Sequence, residues 1–129
     1  MIEIETIIIP PIRLEWSDWY HWNDIKKDVR KKDGISIPNK KSGVYEVKLI
    51  DSEERLTIGS SDDLRYRIRQ CLVKGIGEHS SGNKIRSKEN TDNICVRWAK
   101  TDRPRAIEEE LHQRYVKKFG HLPKYTKRT

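Results

Sequence analysis

The sequence predicts an α+β fold: a small three-stranded antiparallel sheet flanked by helices, preceded by a Trp-rich helical extension. Three observations carry this. Two short runs alternate apolar and polar residues around a polar turn, "GVYEVKLI" and "RLTIG" on either side of "DSEE". A third alternating run, "NICVRWAK", is followed by a segment of helical period, "DRPRAIEEELHQRYVKKFG". Near the N-terminus, Trp16, Trp19 and Trp22 recur at three-residue steps, with Val29 further on, which suits one face of a helix. At 129 residues the chain fits one domain, with residues 1–41 as an N-terminal extension packed on a domain of residues 42–129.

Taken in order, "IEIETIIIPP" reads as a short strand or extended arm stopped by Pro10-Pro11. The Trp helix follows, with Asp33-Gly34 as its stop and "ISIPNKKSG" as a connecting loop. In the first strand Tyr45, Val47 and Leu49 lie on one side and Val44, Glu46 and Lys48 on the other, a half-buried pattern. The second strand has Leu56 and Ile58 on a common face and ends at Gly59. Ser60 or Ser61 then caps a helix with Asp62 and Asp63 in its first turn and Leu64, Ile68 and Leu72 on its buried stripe. Arg65 and Arg69 point away from that stripe, while Arg67 lies on its edge, able to reach outward from partial burial. "LVKGIGEHSSGNKIRSKENTD" reads as a long polar loop. In the last helix Asp102 is the expected cap, Pro104 fits the first turn, Gly120 closes it, and Ile107, Leu111 and Tyr115 face inward.

Charge is unevenly spread. Residues 1–64 carry 10 Lys and Arg against 13 Asp and Glu, whereas residues 65–129 carry 17 against 7. A basic half of this kind suggests a face that meets polyanion, nucleic acid first among them; a soluble lysine-rich surface is the alternative. No apolar run is long enough to span a membrane and no stretch reads as a targeting segment, so no membrane partner and a cytoplasmic location are expected. Cys71 and Cys95 read as small core residues. A zinc site drawn from Cys71, His79, Cys95 and His112 would lack the close ligand spacing that such sites show.

Gly43-Val44-Tyr45 opening the first strand, Ile58-Gly59 closing the second, Ser60 to Arg67 in the pattern Ser-x-x-x-Leu-x-x-Arg, and Glu108-x-x-Leu111-His112-x-x-Tyr115 on the last helix together resemble the GIY-YIG nuclease superfamily. The likeness covers about residues 42–126. It implies a metal-dependent DNA endonuclease in which Glu108 binds one divalent cation, Mg2+ or Mn2+, Tyr45 stands by the attacking water and Arg67 binds the scissile phosphate, with Gly43 and Ile58 as parts of the motif. Departures are visible. Thr57 stands where the family carries a second tyrosine, Cys71 where many members carry a histidine, and Thr126 is the nearest counterpart of a late asparagine; His79 is a candidate substitute for the missing histidine. Gly59 would leave space for the nucleic-acid backbone, and Arg65, Arg69, Lys74, Lys84 and Arg86 would hold flanking phosphates. The substrate is expected to be DNA, with RNA open and a homodimer as one arrangement. A catalytically silent nucleic-acid-binding module of the same fold, or an interaction domain docking through its tryptophans, are the alternative functions.

Overall fold

Three strands fall where alternation predicts them in the computed structural model, which describes residues 3–8, 11–27 and 35–126. They are β2 (Gly43–Leu49), β3 (Arg55–Ser61) and β4 (Ile94–Lys100). A two-residue strand, β1 (Tyr20–His21), pairs with β4, so the antiparallel sheet has four strands in the order β1-β4-β2-β3 rather than the expected three. Residues 3–8 are exposed and irregular, an arm without strand pairing. Val29 and the Asp33-Gly34 stop lie outside the described residues.

The tryptophan region departs from a continuous helix. Among the described residues of this segment, only Trp22–Lys26 (α1) is helical. The segment before it runs along the sheet edge, tied to β4 by Ser17 N–H to the Trp98 carbonyl at 2.8 Å and Trp98 N–H to Ser17 Oγ at 3.0 Å. Trp22 is buried, Tyr20 stacks on Trp98, and the Trp16 and Trp19 rings receive the Arg97 guanidinium at 4.1 and 4.6 Å from their centroids. Three-residue spacing arises here from edge pairing and cation–π contacts, which periodicity alone does not distinguish from a helix.

β2 is central and buried on both faces, not half-buried as alternation suggests. On one face Tyr45 and Val47 join Trp98, Val96, Leu64 and Ile68 in the main core. On the other, Val44 packs with Ala99 and Ile107. A fully buried valine of this kind contributes about 1.5–3 kcal/mol. A register shift between Val47 and Lys48 separates Leu56 and Ile58: Leu56 joins the main core, while Ile58 shares the face of its partner Glu46.

β3 continues through Ser61, so neither Ser60 nor Ser61 caps a helix from within its first turn. Asp63 does that work, its Oδ1 accepting from Tyr66 N–H at 3.2 Å and Lys40 N–H at 3.1 Å. The following helix is wound as a π-helix over Tyr66–Val73, with Lys74 N–H bonded five residues back to the Arg69 carbonyl. Ile68 and Leu72 are fully buried on it and Arg67 is half-buried.

The predicted polar loop contains a helix, α2 (Ser80–Lys88), whose N-cap is His79, Nδ1 accepting from Gly82 N–H. The last helix, α3 (Pro104–Phe119), opens on Pro104 and closes on Gly120 in the left-handed region at φ 82°. Its N-cap is Arg103, not Asp102. Among the described residues no helix is long and apolar enough to cross a membrane.

Candidate active site

Pairing between β2 and β3 sets Tyr45 opposite Gly59. Across a strand pair, side chains on one face of opposed residues meet, so the Tyr45 ring lies over the position where residue 59 would carry a side chain. A Cβ added to Gly59 would stand 2.5 Å from Tyr45 Cζ and collide with the hydroxyl. The room made by this glycine is thus taken by the protein's own phenol, where the sequence pattern suggested that it serves the backbone of a nucleic acid.

Tyr45, Arg67 and Glu108 open on one cleft of about 150 Å3, together with Thr57, Gly59 and His79. Three elements deliver them: β2 supplies the phenol, the π-helix the guanidinium, and the outward flank of α3 a half-buried carboxylate, with Glu109 and Glu110 exposed beyond it. Of the residues singled out from sequence, the catalytic and metal candidates are therefore gathered. The five flanking cations are not among the cleft's lining residues.

Three of those cations are bonded within the fold. Arg65 Nε donates to the Ile37 carbonyl at 2.8 Å and Arg69 NH2 to the Ile35 carbonyl at 3.1 Å, which pins the loop before β2 to the π-helix. Arg86 donates to the Cys71 and Leu72 carbonyls and to Asn83 Oδ1, closing the end of the π-helix against α2. Lys84 is exposed and Lys74 half-buried. Helical spacing shows that an arginine leaves the apolar stripe; it carries no information about a carbonyl supplied by a loop thirty residues away.

Tyr45 is almost fully buried, and burial pushes its phenol up to about 12. Arg67 opposes that rise through its charge and a hydrogen bond, whereas Glu108 adds to it. The hydroxyl lies 2.7 Å from His79 Nε2. His79 is itself buried, and burial, with the charges of Arg67 and Arg86, pulls it down to about 4. The ring is therefore neutral at pH 7 and carries one proton. Because Nδ1 accepts from Gly82 N–H at 2.9 Å, that proton sits on Nε2, and Nε2–H donates to the Tyr45 oxygen. Tyr45 keeps its own proton for a partner in the cleft.

Arg67 is held by NH1 donating to the Glu78 carbonyl at 2.9 Å. Thr126 meets the cleft from the C-terminal segment. Its Oγ1 accepts from Ile58 N–H and lies 3.1 Å from Thr57 Oγ1, so the two hydroxyls occupy one hydrogen-bonded position. His112, four residues after Glu108 and named above only within the motif and the zinc set, is a cleft residue. It is buried and its Nε2–H donates to the Ile58 carbonyl at 2.9 Å, which locks α3 to β3 beside the carboxylate. Its spacing from Glu108 was the one signal of this in the sequence.

A group of three or more His, Cys, Asp or Glu side chains able to hold a metal is absent among the described residues, which leaves the Cys71–His79–Cys95–His112 zinc set without support from geometry. What the cleft does offer a cation is one carboxylate, Glu108, beside hydroxyl oxygens. A hard ion that keeps most of its waters suits such a donor set. The chain matches no protein-family model, no curated protein and no solved structure.

Proposed function

We propose that the protein is a divalent-metal-dependent endonuclease of GIY-YIG type that hydrolyses DNA phosphodiester bonds. One observation carries the reading: a phenol, a guanidinium and a carboxylate from three separate elements line the same cleft, in the roles that the motif resemblance assigns to Tyr45, Arg67 and Glu108.

The chemistry follows from these groups. Tyr45, as phenolate, takes a proton from a water in the cleft; the water oxygen forms a bond to phosphorus, the bond from phosphorus to the 3′ oxygen breaks, and the departing oxygen takes a proton from solvent. The Arg67 guanidinium fork matches the non-bridging phosphate oxygens. His79 Nε2–H donates to the phenolate and so favours its formation against the cost of burial. Glu108 would hold Mg2+ or Mn2+, which supplies Lewis acidity and offsets the carboxylate's unfavourable field at Tyr45.

Supercoiled-plasmid nicking tests this. Wild-type protein is expected to nick with Mg2+ or Mn2+, to stop on chelation, and to lose nicking in Glu108→Ala and Tyr45→Phe while duplex binding persists. A single-stranded RNA arm decides between the two nucleic acids. Absence of nicking by the wild type, or undiminished nicking by Glu108→Ala, rejects the proposal. Binding without nicking would select the second reading, a silent binding module, which the high pKa of the Tyr45 phenol and the threonine at position 57 favour.

A further inference from the structure

A second, larger concavity lies at the end of the sheet. It has a volume of about 630 Å3 and is lined by Arg13, Lys41, Lys100 and Arg103 with the hydroxyls of Ser42 and Thr101; among the described residues Asp102 is the one acid in its wall. All four cations are exposed. Among the described residues Lys41, Lys100 and Arg103 make no ion pair, and Arg13 has only a 4.0 Å contact with Glu15, both side chains more than 80% exposed, a pair of little energetic weight. The contrast with Arg65, Arg69 and Arg86 is direct: those guanidiniums are bonded to carbonyls of the fold, whereas Lys41, Lys100 and Arg103 are exposed around one concavity.

The groove adjoins the cleft through shared elements. Lys100 pairs with Gly43, which pairs with Ser61, next to the cleft residue Ser60; Thr101 N–H bonds the Ser42 carbonyl at 3.1 Å. Arg103 of the groove is the N-cap of α3, five residues before Glu108 of the cleft.

We propose that this groove seats the phosphodiester backbone of the DNA strand that flanks the bond entering the cleft, with Lys41, Lys100 and Arg103 each neutralising a phosphate. The inference rests on the endonuclease reading for its direction of approach. It replaces the flanking set on the π-helix and α2 with one on the ends of β2 and β4 and the start of α3.

The test compares two charge-matched double variants by fluorescence anisotropy with a fluorescein-labelled DNA duplex, without divalent cation, over about 50–200 mM salt. Each phosphate deprived of its cation lowers the slope of log affinity against log salt by about 0.9, so Lys41→Gln/Lys100→Gln is expected to lower it by about 1.8. Lys117→Gln/Lys118→Gln, in the last turn of α3, is expected to leave it unchanged. A slope retained in the first pair, or reduced equally in both, overturns the proposal. Should the first pair fail to fold by circular dichroism, Arg103→Gln alone is expected to remove about 0.9, and an unchanged slope there overturns it as well. Nicking by the wild type is scored separately: a groove-dependent slope without any nicking rejects the endonuclease and keeps the groove.

Discussion

The Tyr45 hydroxyl and His79 Nε2 lie 2.7 Å apart, although 34 residues separate them in the chain. Gly82 N–H, donating to the other ring nitrogen, decides the direction of that bond. With Nδ1 occupied as an acceptor, the neutral imidazole is a donor to the phenol and is not placed to receive its proton. The pair therefore acts as a phenol with a hydrogen-bond donor aimed at its conjugate base, not as a histidine base relaying a proton from tyrosine.

Activity should report this direction. His79→Ala is expected to lower the nicking rate by about 10²-fold, the scale of losing one donor to a developing oxyanion. The alkaline rise of the pH–rate profile, set by a phenol near 12, should move further up in pH. His79→Gln, whose amide N–H can also donate, should restore part of the rate. If His79 were instead the base for Tyr45, Gln would be as inactive as Ala, and pH–rate profiles of the three proteins separate the two cases.

Stability should depend on pH through the same ring. The pKa of His79 is about 4 in the folded protein against an ordinary 6.5, so the unfolded chain binds the extra proton first as pH falls. The contribution of the neutral ring is full above pH 6.5 and is lost progressively as pH falls from there through about 4. Its size is roughly 3 kcal/mol. Urea unfolding midpoints across this window should fall steeply in the wild type and distinctly less in His79→Gln. Parallel curves for the two proteins would remove His79 as the source.

Much of this was legible in the chain. Alternation placed β2, β3 and β4, Pro104 and Gly120 bounded α3, and the motif resemblance set Glu108 apart from Glu109 and Glu110. What escaped was set by partners remote in sequence. α2 is rich in Ser, Gly and Asn, which disfavour helix interiors, and its cap is a histidine, so local preference pointed to a loop. The roles of Arg65 and Arg69 depend on carbonyls near Ile35 and Ile37. The Trp segment repeats every three residues, yet its partners are β4 and the guanidinium of Arg97.

Gly59 and Tyr45 should be energetically coupled. Gly59→Ala introduces a Cβ into the space of the phenol and is expected to cost about 1–3 kcal/mol as overpacking, with loss of nicking. In a Tyr45→Ala background the same substitution meets no ring, so the double variant should be more stable than the sum of the singles. Denaturation of the four proteins in a thermodynamic cycle gives the coupling. Additive losses would show that the collision is absorbed elsewhere.

Glu46 provides a prediction away from the cleft, on the opposite face of β2. Glu46 is 5% exposed and its Oε1 accepts from Arg97 Nε at 2.8 Å and Arg55 Nε at 3.2 Å. The two guanidiniums are mostly covered, and the Trp16 and Trp19 rings lie against Arg97. Glu46→Ala leaves two partly buried cations facing each other with no counter-charge, which is expected to destabilise by about 3 kcal/mol. Glu46→Leu combined with Arg97→Met removes a charge from each side and should recover much of that loss, because desolvating an ion pair offsets most of its attraction. Neither Glu46 nor Arg97 lines the cleft, so nicking well below the melting temperature should stay at the wild-type rate. Urea unfolding that shows less than about 1 kcal/mol for Glu46→Ala would mean that solvent reaches this carboxylate and screens it as it does a surface pair.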